Sequence, residues 1–240
     1  MKALLSAVLL VAACLAPSNV LGQSSNGGPQ PQTPCTDARV AELIDKFKEK
    51  NREAAMDATD PLTACGERAV PALEQFLKTG KRPLALVLAA LVLGDISPED
   101  PYVVPALLRV SKGRGLFDSE ETLLMRREAG MLLAHTPAGT RELPALLKDE
   151  DVFVRRSAAF ALDDPTEAMD KLSPARLEAI GEVLPALVAA LDDKDEVVRD
   201  MCCEVLGQIV RSQTEPLSSK AERLLKERGK SRGDCLCGCD

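Results

Sequence analysis

The sequence predicts an all-α solenoid of about five helical hairpins with an extra N-terminal helix. Three observations support this prediction. A short Pro-containing string occurs four times, an amphipathic helical pattern with a leading Asp recurs between its copies, and the 240-residue chain is 45% hydrophobic but only 2% aromatic. A core of Ala, Leu and Val favours close helix packing, and a repeat of this kind accommodates two helices and two turns.

The first 22 residues are typical of a signal peptide. Lys2 supplies a positive start, an apolar run follows over residues 3–16, and Val20-Leu21-Gly22 is suited to cleavage. A bacterial lipoprotein signal is the alternative, because Val11-Ala12-Ala13-Cys14 is similar to a lipobox in which Cys14 takes the lipid. Both alternatives predict export to the periplasm or the extracellular space, with a membrane anchor only if Cys14 is lipidated. The apolar run is too short to span a bilayer.

The remaining domain boundaries follow from composition. Residues 23–34 are rich in Pro, Gly and Ser and predict a flexible linker. The folded solenoid is expected over residues 35–229, and a Cys-rich tail over residues 230–240. The net charge of −7 predicts a surface poorly suited to nucleic acid or to an anionic membrane.

The Pro-containing string predicts the second helix of each hairpin. Its first copy is Val70-Pro71-Ala72-Leu73, and later copies place their prolines at Pro105, Pro144 and Pro185, which are 34, 39 and 41 residues apart in turn. Pro is tolerated in the first turn of a helix because the N–H that it lacks has no intrahelical partner there. Each string should therefore open a helix.

The second pattern predicts the first helix of each hairpin, after a lone opening helix over about residues 36–49. Copies start at Asp151 and Asp195, and in the latter copy apolar or small residues at positions 198, 202, 205, 206 and 209 form one helical stripe. The leading Asp is a natural N-cap. Weaker copies occur near residues 51, 85 and 125. Pro61 falls inside the earliest one, so that helix should be broken or shortened.

The string Asp-x-x-Val-Arg-x-x-Ala-Ala, followed by Ala-Leu-Gly and a Val-Pro-Ala-Leu helix, resembles the HEAT repeat of the bacterial phycobilisome-lyase-like variety. The resemblance covers about residues 36–228 and is strongest over residues 151–209. It implies an armadillo-like superhelix with the first helices on the convex side and the second helices on the concave side. It also implies structural roles, between repeats or at helix ends, for Asp151, Arg155, Asp195 and Arg199.

No arrangement of residues predicts catalysis or a cofactor. His135 is the single histidine, and its register matches Asp95, Asp164 and Gln208, which predicts a solvated helix end. One His excludes HEAT-like metal hydroxylases and leaves no convincing Ser-His-Asp set. The absence of Trp and the single Tyr argue against HEAT-like DNA glycosylases. We therefore predict a protein that is not an enzyme.

The cysteines are the most informative chemical feature, and export would place them where disulfides persist. Cys35 begins the opening helix and Cys65 ends the next one, so a disulfide between them is geometrically reasonable. Cys203 lies at the edge of its helical stripe and is a better partner for the tail than the buried Cys202. The disulfide candidates are Cys35, Cys65, Cys203, Cys235, Cys237 and Cys239.

The tail supports a second hypothesis. Three closely spaced thiolates, at Cys235, Cys237 and Cys239, suit a thiophilic metal such as Cu(I) or Zn(II). Their spacing is tighter than in most zinc sites, and a fourth ligand is missing. Two functions are therefore predicted. The first is a scaffold that binds a protein or peptide through its concave face, and the alternative is a thiol-redox or metal-binding protein that acts through the tail.

Overall fold

The structure is a computed structural model that describes residues 34–113, 120–163 and 169–229. The described residues form α-helices and short 3₁₀ turns, and no strand occurs among them. This architecture confirms the predicted all-α solenoid. The predicted signal peptide with Cys14, residues 23–33 of the predicted linker and the predicted Cys-rich tail lie outside the described residues.

The described helices follow one another as a lone helix and then five hairpins. The lone helix is α1, Asp37–Lys48. The first helices of the hairpins are α2 (Arg52–Asp57) with α3 (Thr59–Cys65), α5 (Pro83–Ile96), α7 (Glu120–Ala134), α10 (Val152–Phe160) and α12 (Glu196–Arg211). The second helices are α4 (Val70–Thr79), α6 (Val103–Ser111), α8 (Pro137–Thr140) with α9 (Leu143–Leu146), α11 (Pro174–Ala190) and α13 (Leu217–Glu227).

The hairpins stack so that neighbouring first helices touch. Helix α5 packs on α7, α7 on α10, and α10 on α12, while α11 packs on α13 among the second helices. One apolar core, mostly Leu, Val and Ala, runs between these layers. Each hairpin therefore buries its apolar face against its neighbours, as a solenoid requires. None of the described helices combines the length and the apolar character needed to cross a bilayer.

The opening helix α1 covers one end of the core. Thr36 caps it by accepting a hydrogen bond from the Arg39 N–H at 3.2 Å. Its buried residues have helical spacing, and the ring of Phe47 lies 5.6 Å from that of Phe76 in α4. The helix thus packs as an amphipathic lid, with the buried stripe Val40, Leu43, Ile44 and Phe47.

Pro61 divides the first helix of the first hairpin, as predicted. Helix α2 ends at Asp57 and α3 begins at Thr59. The nitrogen of Pro61 has no hydrogen to donate to the carbonyl of Asp57, four residues earlier, so the helical ladder is interrupted at this point. Ala58 joins the two short helices with helical backbone angles, which keeps them nearly continuous.

The first two Pro-containing strings open α4 and α6 as predicted. The third opens only α9, the second part of a helix that begins with α8, and the prediction is wrong for the fourth. Helix α11 begins at Pro174, after the N-cap Ser173, so Pro185 lies inside a helix of 17 residues. Pro185 cannot donate to the carbonyl of Gly181. The Lys220 ammonium of α13 donates to that carbonyl at 2.7 Å and replaces the missing bond. A donor from another helix therefore makes the internal proline tolerable.

Candidate functional site

Asp151 and Asp195 each begin a first helix and also bind the preceding hairpin. Each accepts a hydrogen bond from a backbone N–H in its own first turn. Arg126 donates to Asp151 at 2.5 Å, and Arg156 binds both oxygens of Asp195 at 2.9 and 2.8 Å. The Arg156 bonds lower the pKa of Asp195 from 3.8 to about 2. These two aspartates therefore join successive hairpins as charged N-caps.

Arg155 and Arg199 hold the turns between hairpins. Arg155 is only 4% exposed, and its guanidinium binds both carboxylate oxygens of Asp193, at 2.9 and 3.1 Å. It also donates to the carbonyls of Asp149 and Glu150. Arg199 donates to the carbonyl of Asp193 at 2.8 Å. All of their described polar contacts are with other parts of the same solenoid.

Sequence reasoning did not single out two arginines that act in the same way. Arg126 donates from Nε to the carbonyl of Ser111, the last residue of α6. Arg109 binds three carbonyls at the end of α4, those of Leu77, Lys78 and Gly80. Arg126 occupies the register of Arg155 in its repeat, and this position was the signal that could have identified it.

The structure brings Cys35 and Cys65 together in a disulfide that ties the start of α1 to the end of α3. Cys203 is also disulfide-bonded, and none of the other described cysteines is its partner. Cys202 has a free thiol in the core, where burial raises its pKa to about 12. Because the thiolate is the attacking species, Cys202 is protected from exchange with the disulfide beside it.

The proposed metal ligands Cys235, Cys237 and Cys239 lie outside the described residues. Within the described ranges, no three His, Cys, Asp or Glu side chains come together in a way that could hold a metal ion. The metal hypothesis for the tail therefore stays a prediction.

His135 is half-buried, which corrects the expectation of a solvated helix end. It follows α7 and lines a cavity of about 170 Å³ together with Leu91, Asp95 and Leu132. Its Nδ1 lies 3.5 Å from an Nη1 of Arg176 in α11. The repeat register gave its position along the helix correctly, but the approach of α11 from the next hairpin could not be predicted from that register.

A cleft of about 970 Å³ lies between α11 and α13, the second helices of the last two hairpins. Leu177, Pro216 and Leu217 supply apolar walls. Gly181 is buried where the helices meet, since a Cβ there would lie 3.7 Å from Cδ1 of Leu217. The volume is at the upper end of the range for ligand-binding pockets.

Charged groups surround the apolar part of this cleft. Glu182 accepts a hydrogen bond from Arg141 of the third hairpin at 3.0 Å. Hydrogen bonds from Ser219 and Ser218 lower the pKa of Glu215. The other charged lining groups are Glu178, Lys220 and Arg223. The cleft combines apolar area with hydrogen-bonding charges, which together suit the binding of a peptide.

A match to a family model agrees with this architecture. Residues 183–213, which span the end of α11 and all of α12, match the HEAT repeat family. None of the curated proteins compared with the chain matches it. A crystal structure of an engineered protein from the Northeast Structural Genomics Consortium is 19% identical, with a TM-score of 0.37, and the alignment covers 80% of this chain and 98% of that chain. The resemblance to the HEAT repeat is confirmed over residues 183–213, where the chain contains such a repeat.

Proposed function

We propose that the protein is an exported, non-enzymatic scaffold that binds a protein or peptide through the face formed by its second helices. The HEAT repeat at residues 183–213 supports a role in protein interaction in general terms. The observation that carries the proposal is the cleft of about 970 Å³ between α11 and α13. Both helices belong to the set that the HEAT resemblance assigns to the concave side.

The composition of the cleft favours a peptide segment as its occupant. An extended segment would bury apolar side chains against Leu177, Pro216 and Leu217, while its polar groups meet the charged groups around them. Such a combination of apolar pockets and oriented polar groups is how proteins usually recognise peptides. Export, to the periplasm or beyond the cell, is supported by the signal-like residues 1–22 and by the Cys35–Cys65 disulfide.

Site-specific photo-crosslinking tests the binding face. The photoreactive residue p-benzoylphenylalanine replaces Glu178 in the cleft or, in a matched chain, Asp200 on the exposed side of α12. From position 178 we expect crosslinked adducts of defined mass between the chain and a protein or peptide partner. These adducts should disappear when Gly181→Leu fills the cleft. Circular dichroism checks that the Gly181→Leu chain stays folded. Adducts from position 200 with none from position 178 would overturn the proposal.

Cell fractionation tests the export part separately. The full chain with a C-terminal epitope should be recovered outside the cytoplasm, with its N-terminal segment removed or with Cys14 lipidated. Full-length chain confined to the cytoplasm would contradict export but would leave the crosslinking result unaffected.

A further inference from the structure

We infer that the cleft between α11 and α13 selects a basic peptide, in which a Lys or Arg side chain stands next to a bulky apolar one. This inference rests on the proposed peptide-binding function and specifies the chemistry of the partner. It depends on how the charged groups of the cleft are engaged. Two of its three carboxylates, those of Glu178 and Glu215, are open to a ligand, whereas Glu182 is paired with Arg141. The cations have neighbours of their own.

Two carboxylates are available. Glu178 is exposed and takes part in none of the ion pairs found among the described residues. The hydroxyls of Ser218 and Ser219 both donate to Oε1 of Glu215, at 2.9 and 2.7 Å, so the described hydrogen bonds leave its Oε2 open. The same bonds lower the pKa of Glu215 and keep it charged.

The two cations of the cleft each lie next to another group of the protein. The Lys220 ammonium donates to the carbonyl of Gly181 at 2.7 Å, the group that Pro185 leaves without a helical donor. Arg223 is exposed and lies 3.8 Å from Glu227, its neighbour one turn later on α13. The open carboxylates are negative, and so is the net charge of −7. A cationic ligand is therefore attracted both at long range and inside the cleft.

The arrangement of apolar and acidic residues repeats on both walls. On α11, Leu177 is followed by Glu178, and at the start of α13 Glu215 is followed by Pro216 and Leu217. Each wall thus presents an apolar surface beside a carboxylate. A peptide in which apolar and basic side chains alternate can satisfy both walls, whereas an acidic peptide would place like charges together.

Fluorescence anisotropy on the folded chain tests this preference. The probes are two fluorescein-labelled peptides, three repeats of Lys-Leu-Ser and three repeats of Glu-Leu-Ser. We expect the basic peptide to bind at least about tenfold more tightly than the acidic one, a difference that a few exposed ion pairs can supply. Glu178→Lys should weaken its binding by about threefold to tenfold, and Arg223→Gln should strengthen it.

Glu222→Lys is the matched control, because Glu222 is exposed on α13 outside the cleft and the change in net charge is the same. At physiological salt, where screening acts over about 8 Å, it should leave the affinity nearly unchanged. Equal weakening by Glu178→Lys and Glu222→Lys would overturn the inference, since binding would then follow net charge. If both peptides bind equally and Gly181→Leu weakens both, charge selection fails while the cleft stands as a peptide site. If neither peptide binds, the inference and the proposed function fail together.

Discussion

Gly130 shows how one residue sets the spacing between two hairpins. A Cβ at this position of α7 would lie 2.4 Å from Oγ of Ser157 in α10 and 2.7 Å from its carbonyl oxygen. Ser157 is itself buried and donates to the carbonyl of Arg126 at 2.6 Å. Because Ser157 cannot move without breaking this buried bond, the missing side chain at Gly130 allows the two first helices to approach.

The substitution Gly130→Ala should therefore destabilise the protein. We expect the free energy of unfolding to fall by about 1–3 kcal/mol, the usual cost of overpacking, measured by urea denaturation. Gly94→Ala in α5 is the control, because a Cβ there meets no atom within 4 Å. That change should stabilise by up to about 1 kcal/mol through helix propensity. If the two substitutions shift stability equally and in the same direction, the steric argument fails.

Lys220 and Pro185 form a second residue-level device, which a double-mutant cycle can measure. Lys220→Met removes the ammonium from the Gly181 carbonyl and should cost about 1 kcal/mol in unfolding free energy. In a Pro185→Ala chain the restored backbone N–H can donate to that carbonyl, so the same substitution should cost almost nothing. Additive effects in the cycle, measured by urea unfolding, would show that the Lys220 bond does not compensate for the proline.

At the scale of the helix, Asp195 links the start of α12 to α10, and this link depends on pH. The Arg156 bonds lower its pKa from 3.8 to about 2 in the folded protein. A carboxyl with a lowered folded pKa stabilises the protein above its unfolded pKa and loses that contribution as the pH falls through the folded value. The stabilisation by Asp195 is therefore present above about pH 4 and is lost towards pH 2.

Asp195→Asn tests this link, since Asn still caps a helix but has no charge to bind Arg156. The stability difference between the natural chain and the Asn chain should be constant above about pH 4 and should shrink as the pH is lowered to 2. Unfolding followed by circular dichroism across this range measures it. Asp200→Asn, on the exposed side of the same helix, serves as control. A difference that persists unchanged at pH 2 would contradict the pairing.

The helices themselves could be predicted from the sequence because their signals are local. Residues within one or two turns determine each of these features: the buried stripe from Val198 to Ile209, the N-cap Asp195 and the break near Pro61. The exceptions depend on distant residues. Pro185 lies inside α11 because Lys220, from the next hairpin, donates to the Gly181 carbonyl that the proline leaves without a helical donor. The cleft between α11 and α13 could not be predicted either, since it arises from how two complete helices are spaced.

At the scale of the whole molecule, α1 and the last hairpin are the two ends of the described part of the solenoid. At the N-terminal end, the Cys35–Cys65 disulfide holds α1 against the first hairpin and closes a loop with a sequence separation of 30. Near the other end, Cys203 in α12 is also disulfide-bonded. Solenoids commonly need special terminal repeats to protect their ends, and covalent bonds can serve the same purpose.

Replacing both Cys35 and Cys65 by Ser should lower the free energy of unfolding by about 3 kcal/mol, mainly because the unfolded chain regains the freedom of that loop. Urea unfolding of the oxidised protein measures the loss. Cys202→Ala is the comparison, because it removes a buried thiol that forms no disulfide. If the double Ser chain matched the natural one in stability, the disulfide would have no role in holding α1.

The mass of the mature protein tests the predicted disulfides and separates the two predicted functions. Native alkylation before mass spectrometry should leave Cys35, Cys65 and Cys203 unlabelled, and Cys202 should react only after denaturation, because its buried thiol has a pKa of about 12. If the protein is a scaffold whose cysteines serve only to form disulfides, we expect two or three disulfides and no bound metal. We also expect an N-terminus at Gln23 or a lipidated Cys14. Peptide mapping assigns each bridge.

Three labelled thiols at Cys235, Cys237 and Cys239, or a bound metal detected under native conditions, would contradict a purely structural role for the tail. Because three reduced thiolates in an oxidising compartment must be protected by a ligand or used in exchange, that outcome would make the tail the functional part of the protein.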